Sequence, residues 1–218
     1  MRNCPVCFDS RRELIRAQYA IPVWSMFRCV NCNMLYLDSE VHTEESMNEF
    51  YKNIYQTADL PFSDARLNSL ADCVADFGLG SSVMDIGGMD KILKGKLMER
   101  GLLNVNTSGP GDGFENPPYR VFILSHTLEH VYNTHGMLEK IKANIFEGGL
   151  VVVEVPIWSD DSPLTYDYHF EHINKFTPKH LENLFIQHGF TIHESYSLPR
   201  YIEYNCHRLV AKLWISSL

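Results

Sequence analysis

No stretch of this chain is both long and apolar enough to cross a bilayer, and its first residues, MRNCPVC, lack the charged-then-apolar run of a secretion signal. A soluble, cytoplasmic protein without membrane insertion is expected. Basic residues are also in short supply: 19 Lys and Arg stand against 27 Asp and Glu, a net charge of -8. A field of that sign repels a phosphate backbone, so nucleic acid is not an expected partner. Internal repeats, low-complexity tracts and flexible linkers are missing too, which removes solenoids and disordered spacers from consideration. What is left is 218 residues, 45% hydrophobic, enough for one domain of ordinary size and a small appendage.

Cysteines are few, and their placement is not random. Of the six, four form two C-x-x-C pairs, Cys4-Pro-Val-Cys7 and Cys29-Val-Asn-Cys32. In a reducing compartment such usage points to metal before disulfides. Each C-x-x-C turn aims two thiolates at one point, and two turns complete a tetrahedral Zn²⁺ shell. A redox pair is the competing reading, but it needs a C-x-x-C that opens a helix. Here QYAIPVWSMFRC and MLYL flank the second pair and read as strands. With four thiolates the shell is closed, so the zinc is expected to be structural. Cys73 and Cys206 sit in apolar periodic contexts and are expected to be small buried hydrophobes.

Residues 1–40 are therefore expected to form a zinc ribbon. Residues 41–80 read as a helical lead-in. One apolar stripe carries Met47, Phe50, Tyr51, Ile54 and Tyr55, a second carries Leu67, Leu70, Cys73, Val74 and Phe77, and Leu60-Pro61 breaks the two apart. From 81 to 218 strands and helices alternate. SVMDIG (82–87), LLNVNTS, RVFILSH (120–126) and LVVVEVP (150–156) read as strands. Helices are expected over 91–101, from Leu128 to Ile145, and from a Thr177-Pro178 start through Gln187. FTIHESYSL and HRLVAKLWI supply a last, antiparallel pair. Near-continuous apolar strands alternating with helices mean an α/β domain whose mostly parallel sheet is covered on both faces.

Three stretches together carry a resemblance. VMDIGG resembles the first motif of class I S-adenosylmethionine-dependent methyltransferases, in which a strand ends in an acid and a glycine turn. SHTLEHV is similar to the strand-four segment of sugar and small-molecule methyltransferases. EGGLVVVEVP followed by HFEHINKFTPKHLENLFIQHGF looks like the strand-five hairpin, acceptor-side loop and last helix of that group. With the ribbon in front, the chain resembles the zinc-ribbon methyltransferases of sugar and surface-glycan biosynthesis. The resemblance implies a Rossmann-like, seven-stranded fold, S-adenosylmethionine as cofactor beside structural Zn²⁺, and a small-molecule or glycan acceptor.

It also implies a division of labour. Gly87 and Gly88 let the backbone approach the cofactor at the C-terminal edge of the sheet. Asp85 orients the methionyl amino group or the turn itself, or else caps the next helix. Ser125 and His126 line the same crevice. His126 and His130, four apart, have the spacing of a metal pair, set against their family role as cofactor-pocket wall and helix start. In the acceptor loop, Tyr168, His169, Glu171 and His172 are dense in titratable groups. The pairing Glu171-His172 matches the tyrosine, glutamate and histidine of related sugar C-methyltransferases, with Phe170 inserted. His172 is the candidate general base, the alternative being that these histidines bind substrate hydroxyls or fix the loop.

The cofactor motif also departs from the family pattern. Met89 and Lys91 stand where the second and third glycines lie, Gly109 falls where the ribose-binding acid is usual, and Arg120 replaces an acid before strand four. Asp112 is the substitute carboxylate for the ribose or the adenine amine. Two functions follow: a methyltransferase with a divergent cofactor pocket, or a methyltransferase-like protein that has lost the cofactor and acts as a binding or accessory module or runs another reaction in the old acceptor site.

Overall fold

The computed structural model describes residues 2–18, 24–39, 42–57, 64–78, 81–88, 91–158, 171–198 and 205–213. The α/β unit is built on a six-stranded mixed sheet. Its strands are β4 (Ser82–Ile86), β5 (Asn104–Ser108), β6 (Tyr119–Ser125), β7 (Ile145–Pro156), β9 (Phe190–Ser197) and β10 (Cys206–Leu213), in the order β5-β4-β6-β7-β10-β9. The first four run parallel, and β10 lies antiparallel to both β7 and β9. The expected antiparallel last pair is therefore present.

Seven strands are expected, and the described residues hold six. The reason lies between β5 and β6, where residues 109–118 form turns and bends with neither helix nor strand. Another departure follows β6. Instead of one helix from Leu128 to Ile145, a single 3₁₀ turn (Leu128–His130) precedes helix α4 (Thr134–Lys142), and Ile145 already belongs to β7. Asn133 stops the turn and starts the helix by accepting a hydrogen bond from the Gly136 amide.

Alternation within the strands splits the core into two layers. Met84, Ile86, Phe122, Leu124, Val151 and Val153 face α4 and helix α5 (Pro178–Gln187). Val83, Val121, Ile123 and Val152 face helix α2 (Asp64–Gly78) and helix α3 (Ile92–Glu99). Leu67, Leu70 and Val74 of the expected α2 stripe are buried. On helix α1 (Glu44–Thr57) Met47 is buried. The 60–61 break lies outside the described residues. Each such side chain contributes roughly 1.5–3 kcal/mol by leaving water. At α5, Thr177 accepts from the His180 amide while the His180 ring accepts from the Thr177 amide, a reciprocal cap with Pro178 behind it.

The N-terminal segment makes a second sheet, β1 (Arg12–Gln18), β2 (Trp24–Cys29), β3 (Leu35–Asp38) and β8 (Asn174–Lys175), in that order. The two cysteine turns are built alike. The amide after each second cysteine bonds back to the first cysteine's carbonyl, Phe8 to Cys4 at 3.1 Å and Asn33 to Cys29 at 3.0 Å. Phe8 and Asn33 both take positive φ, 59° and 63°. Cys4, Val6, Cys29 and Met34 join the same apolar cluster as Phe122 and Val153, and the Pro5 carbonyl accepts from Thr134 of α4, so the cysteine turns pack against the α/β unit. Strand β8 follows the acceptor loop and extends the N-terminal sheet by pairing with β3. Arg2 reinforces that join: its guanidinium donates to the carbonyls of Leu37, Tyr132 and Ile173 at 3.1, 3.1 and 2.7 Å.

A histidine relay closes the same contact. Phe8 stacks on His135 with ring centroids 3.5 Å apart. His135 Nδ1 lies 2.8 Å from His188 Nε2, and His188 Nδ1 lies 2.7 Å from Glu139 Oε1. With His188 Nδ1–H donating to the carboxylate, its Nε2 accepts from His135, which stays neutral. Burial, reinforced by His188, pushes His135 down to about 4. The unfolded chain therefore takes up this proton first, near the ordinary histidine value of about 6.5. Stability is full above that value and falls as pH drops toward 4. Thermal melts of wild type and His135→Phe should show a shallower decline for the variant across that window; parallel curves would refute the assignment.

Candidate functional site

Parallel strands end together, and β4, β5, β6 and β7 bring their C-terminal ends to one edge of the sheet. The β4 end turns sharply. Gly87 has φ 90° and its amide bonds to the Ser108 carbonyl at 2.7 Å, tying the ends of β4 and β5. A Cβ on Gly88 would meet Asp85 Oδ2 at 1.8 Å and Cγ at 2.4 Å, so any side chain here would have to displace the buried Asp85 carboxylate. Asp85 itself is buried at the strand end. The N-cap position of α3 is taken by Lys91, without a side-chain cap bond. Lys91 adopts φ 60°, the left-handed region that glycine enters without strain, so the turn keeps its shape at a cost of about 1–2 kcal/mol. Met89 lies outside the described residues.

After β5, Gly109 and Asp112 close a turn on each other. The Gly109 amide donates to Asp112 Oδ2 at 3.2 Å, and the Asp112 amide donates to the Gly109 carbonyl at 3.1 Å. Asp112 thus stands beside the position where the ribose acid is expected, with its carboxylate bracing the turn. Arg120 lies at the opposite end of β6, exposed, with Nη1 on the Glu147 carbonyl at 3.2 Å. Its substitution for an acid has no bearing on this edge.

At the β6 end, Ser125 Oγ accepts from Arg66 at 2.7 Å. Arg66 Nη1 also reaches Glu154 Oε2 at 2.5 Å, while Arg208 Nε donates to Glu154 Oε1 at 2.7 Å and its Nη2 to the same oxygen. All three side chains are almost completely buried. This Arg–Glu–Arg triad fastens α2 to β7 and β10 directly behind the edge. Sequence reading missed it, although a lone Glu in LVVVEVP and a lone Arg in HRLVAKL were visible signals of complementary buried charge.

His126 follows with φ 51°, its amide bonded to the Glu154 carbonyl at 2.9 Å. The strained conformation turns its ring toward Glu129, with Nδ1 3.4 Å from Oε1, and toward the buried Cys206 thiol, with Nε2 3.6 Å from Sγ. Glu129 is fully buried. His130 Nε2 lies 3.8 Å from the same Glu129 oxygen, and His130 Nδ1 bonds to the Glu171 carbonyl at 2.8 Å. The His172 ring packs edge-on to His130 at 4.8 Å. Burial alone would raise the Glu129 carboxyl, but His126 and His130 hold it below its ordinary value; burial lowers His130. The ring of His172 is therefore brought to the β6 end, while Glu171 contributes its backbone carbonyl. Tyr168 and His169 lie outside the described residues.

The four cysteine sulfurs all lie within 4.8 Å of one another, with Cys4–Cys32 and Cys7–Cys29 at 3.5 Å and no disulfide. A tetrahedral Zn²⁺ shell with bonds of about 2.3 Å separates its sulfurs by roughly 3.8 Å. A bond from Cys32 pulls the Cys4 thiol down to about 5, while burial pushes Cys29 up to about 11. Four clustered thiols, Cys4 and Cys29 buried and Cys7 and Cys32 half-buried, ionise together only when a cation neutralises them.

A sheet whose parallel strands converge on a bare glycine turn, with an antiparallel closing pair, defines the class I S-adenosylmethionine-dependent methyltransferase fold. Residues 62–195 match the methyltransferase domain family, and the chain belongs to it. A 1,6-didemethyltoxoflavin-N1-methyltransferase of Burkholderia thailandensis, solved with 1,6-didemethyltoxoflavin and S-adenosylhomocysteine, superposes with a TM-score of 0.66 at 14% identity, over 86% of this chain and 99% of that one. Human N-acetylserotonin methyltransferase, solved with S-adenosylmethionine, gives 0.53 at 17% identity, over 80% and 58%. The [4+2]-cyclase SpnF gives 0.50 at 13%, over 68% and 82%. At such identities the likeness is one of fold. No curated protein matches the chain by sequence.

The triad yields a direct test. Glu154→Ala leaves two guanidinium groups buried without their carboxylate, which should cost about 3–5 kcal/mol in urea unfolding. A loss below about 1 kcal/mol would show that the triad does not hold this edge.

Proposed function

We propose that the protein transfers a methyl group from S-adenosylmethionine to a hydroxyl of a small-molecule acceptor, of the sugar or glycan-precursor class. The observation that carries this reading is the turn at Gly87-Gly88, where only backbone fits above Asp85. Such a turn accepts a ligand at close range on the edge where open α/β sheets bind them. Gly87, Gly88 and Asp85 would hold the methionyl end, and Asp112 together with the Gly109 turn the ribose. Bound there, the cofactor supplies an electrophilic methyl on a sulfonium.

The chain's own residues do the rest. Ser125, fixed by Arg66, and His126 close the side toward β6. His172 and the adjoining histidines take the acceptor hydroxyl and relieve it of its proton. The sugar class rests on the likeness of SHTLEHV and EHINKFTP to sugar methyltransferase segments. The net charge of -8 speaks against nucleic acid. Among the described residues no helix is long and apolar enough to cross a membrane. The second reading, a protein without cofactor, draws on Gly109 in the place of the ribose acid.

Calorimetric titration separates the two. Wild type should bind S-adenosylmethionine one to one, and Gly88→Ala should abolish that binding by driving a methyl into the Asp85 carboxylate. No binding by folded wild type would favour the accessory reading. On the acceptor side, His172→Ala should lower turnover about 10²–10⁴-fold with cofactor affinity nearly unchanged.

The cysteine quartet belongs to the same proposal as a structural Zn²⁺ site. Protein purified without chelator should carry sulfur-bound zinc, and Cys7→Ser should lose it and loosen the N-terminal sheet, since metal binding and local folding are coupled. X-ray absorption showing no zinc–sulfur scattering would remove the site.

A further inference from the structure

Glu129, His130 and His172 stand in an arrangement that general base catalysis leaves unexplained. The Glu129 carboxylate is fully buried, and among the described residues neither oxygen has a hydrogen-bond partner of normal geometry. The nearest ring nitrogens, His126 Nδ1 at 3.4 Å and His130 Nε2 at 3.8 Å, lie beyond the usual reach of about 2.7–3.2 Å. A buried carboxylate demands a counter-charge or donors. His130 supplies a further clue. Its Nδ1 bonds to a backbone carbonyl, that of Glu171, so Nδ1 carries a proton, and in the neutral ring Nε2 presents a lone pair on the Glu129 side. A lone pair facing a carboxylate oxygen repels it unless a cation lies between them.

The spacing suits that cation. One carboxylate oxygen, one His130 nitrogen and one His172 nitrogen all lie within 4.8 Å of one another. An ion with bonds of about 2.0–2.2 Å joins ligands roughly 3–4 Å apart, a closure that small side-chain rotations provide. The Nδ1–H bond to a main-chain carbonyl is also how metal-ligating histidines are oriented.

We infer that Glu129, His130 and His172 form a second metal site, distinct from the four cysteines, that takes a divalent transition metal of the Zn²⁺, Mn²⁺ or Fe²⁺ class. Two imidazoles and a carboxylate select these over Ca²⁺ or Mg²⁺. Three protein ligands leave a coordination position open, as in catalytic sites. Its use in catalysis rests on the methyltransferase reading above. An acceptor hydroxyl bound at that position loses its proton to solvent or His126 near neutral pH. Its oxygen lone pair then forms the C–O bond as the methyl–sulfur bond breaks and the electron pair leaves with sulfur. In this site His172 is a ligand in place of the general base proposed above, and its loss lowers turnover by removing the ion.

Metal content decides the matter without reference to activity. Full-length protein equilibrated with Zn²⁺ and desalted should hold two zinc ions per chain by elemental analysis. Glu129→Gln and His172→Ala should each hold one, with zinc affinity at this site reduced at least tenfold and circular dichroism unchanged. Because Glu129 is buried, His172, half-buried, gives the answer alone if the Glu129 variant does not fold. One zinc in the wild type, or two in a folded His172→Ala, overturns the site. S-adenosylhomocysteine titration of the same samples is independent: absent binding with two zinc ions would sink the methyltransferase reading and leave the metal site standing.

Discussion

Arg2 holds the two halves of this molecule in register. A single guanidinium donates to Leu37 at the end of β3, to Tyr132 ahead of α4, and to Ile173 next to His172. Burial depresses its pKa to about 10, and the rings of Tyr36 and Tyr132 lie about it at 5.3 and 5.2 Å. Hydrogen bonds from a charged donor contribute more than neutral ones, roughly 1.5–3 kcal/mol. Three of them converge where the cysteine-bearing sheet meets the acceptor segment, and the β3–β8 pairing adds a backbone connection at the same place. The N-terminal segment is therefore part of the wall that positions His172.

The sheet edge divides into two parts that depend on different physics. Toward β4 and β5, the requirement is absence of side chains: Gly88 has no room for a methyl, and Gly87 and Lys91 accept left-handed backbone. Toward β6 and β7, the requirement is buried charge in fixed places. Glu154 is balanced by Arg66 and Arg208, and Glu129 is surrounded by His126, His130 and His172. Low dielectric strengthens each of these interactions and makes each unpaired group costly. The two parts of the edge are thus supported by separate networks that meet at Ser125 and His126.

What was legible in the sequence is what is encoded locally. The C-x-x-C turns, the Thr177-Pro178 cap and the apolar strands from SVMDIG to HRLVAKL depend on neighbours in the chain, and the structure places them as their patterns indicate. Leu128–His130 has helical apolar spacing but forms a 3₁₀ turn, because it is held from outside by Asn174 donating to the Leu128 and Val131 carbonyls. Strand β8 is two residues and carries no periodicity of its own. Arg2 reads as an ordinary surface arginine until its partners, more than thirty residues away, are known. Glu129 was passed over beside its histidine neighbours, since four-residue spacing singles out His126 and His130 and says nothing of burial.

Through Arg2 the N-terminal sheet positions the segment that carries His172. Amide hydrogen exchange across 171–176 in wild type and Arg2→Gln tests it most directly. Loss of the three carbonyl bonds should speed exchange in that stretch and at Leu37, whose amide bonds to Ile173 at 2.9 Å, while β4 and β6 keep their protection. Unchanged exchange at 171–176 in the variant would contradict the claim.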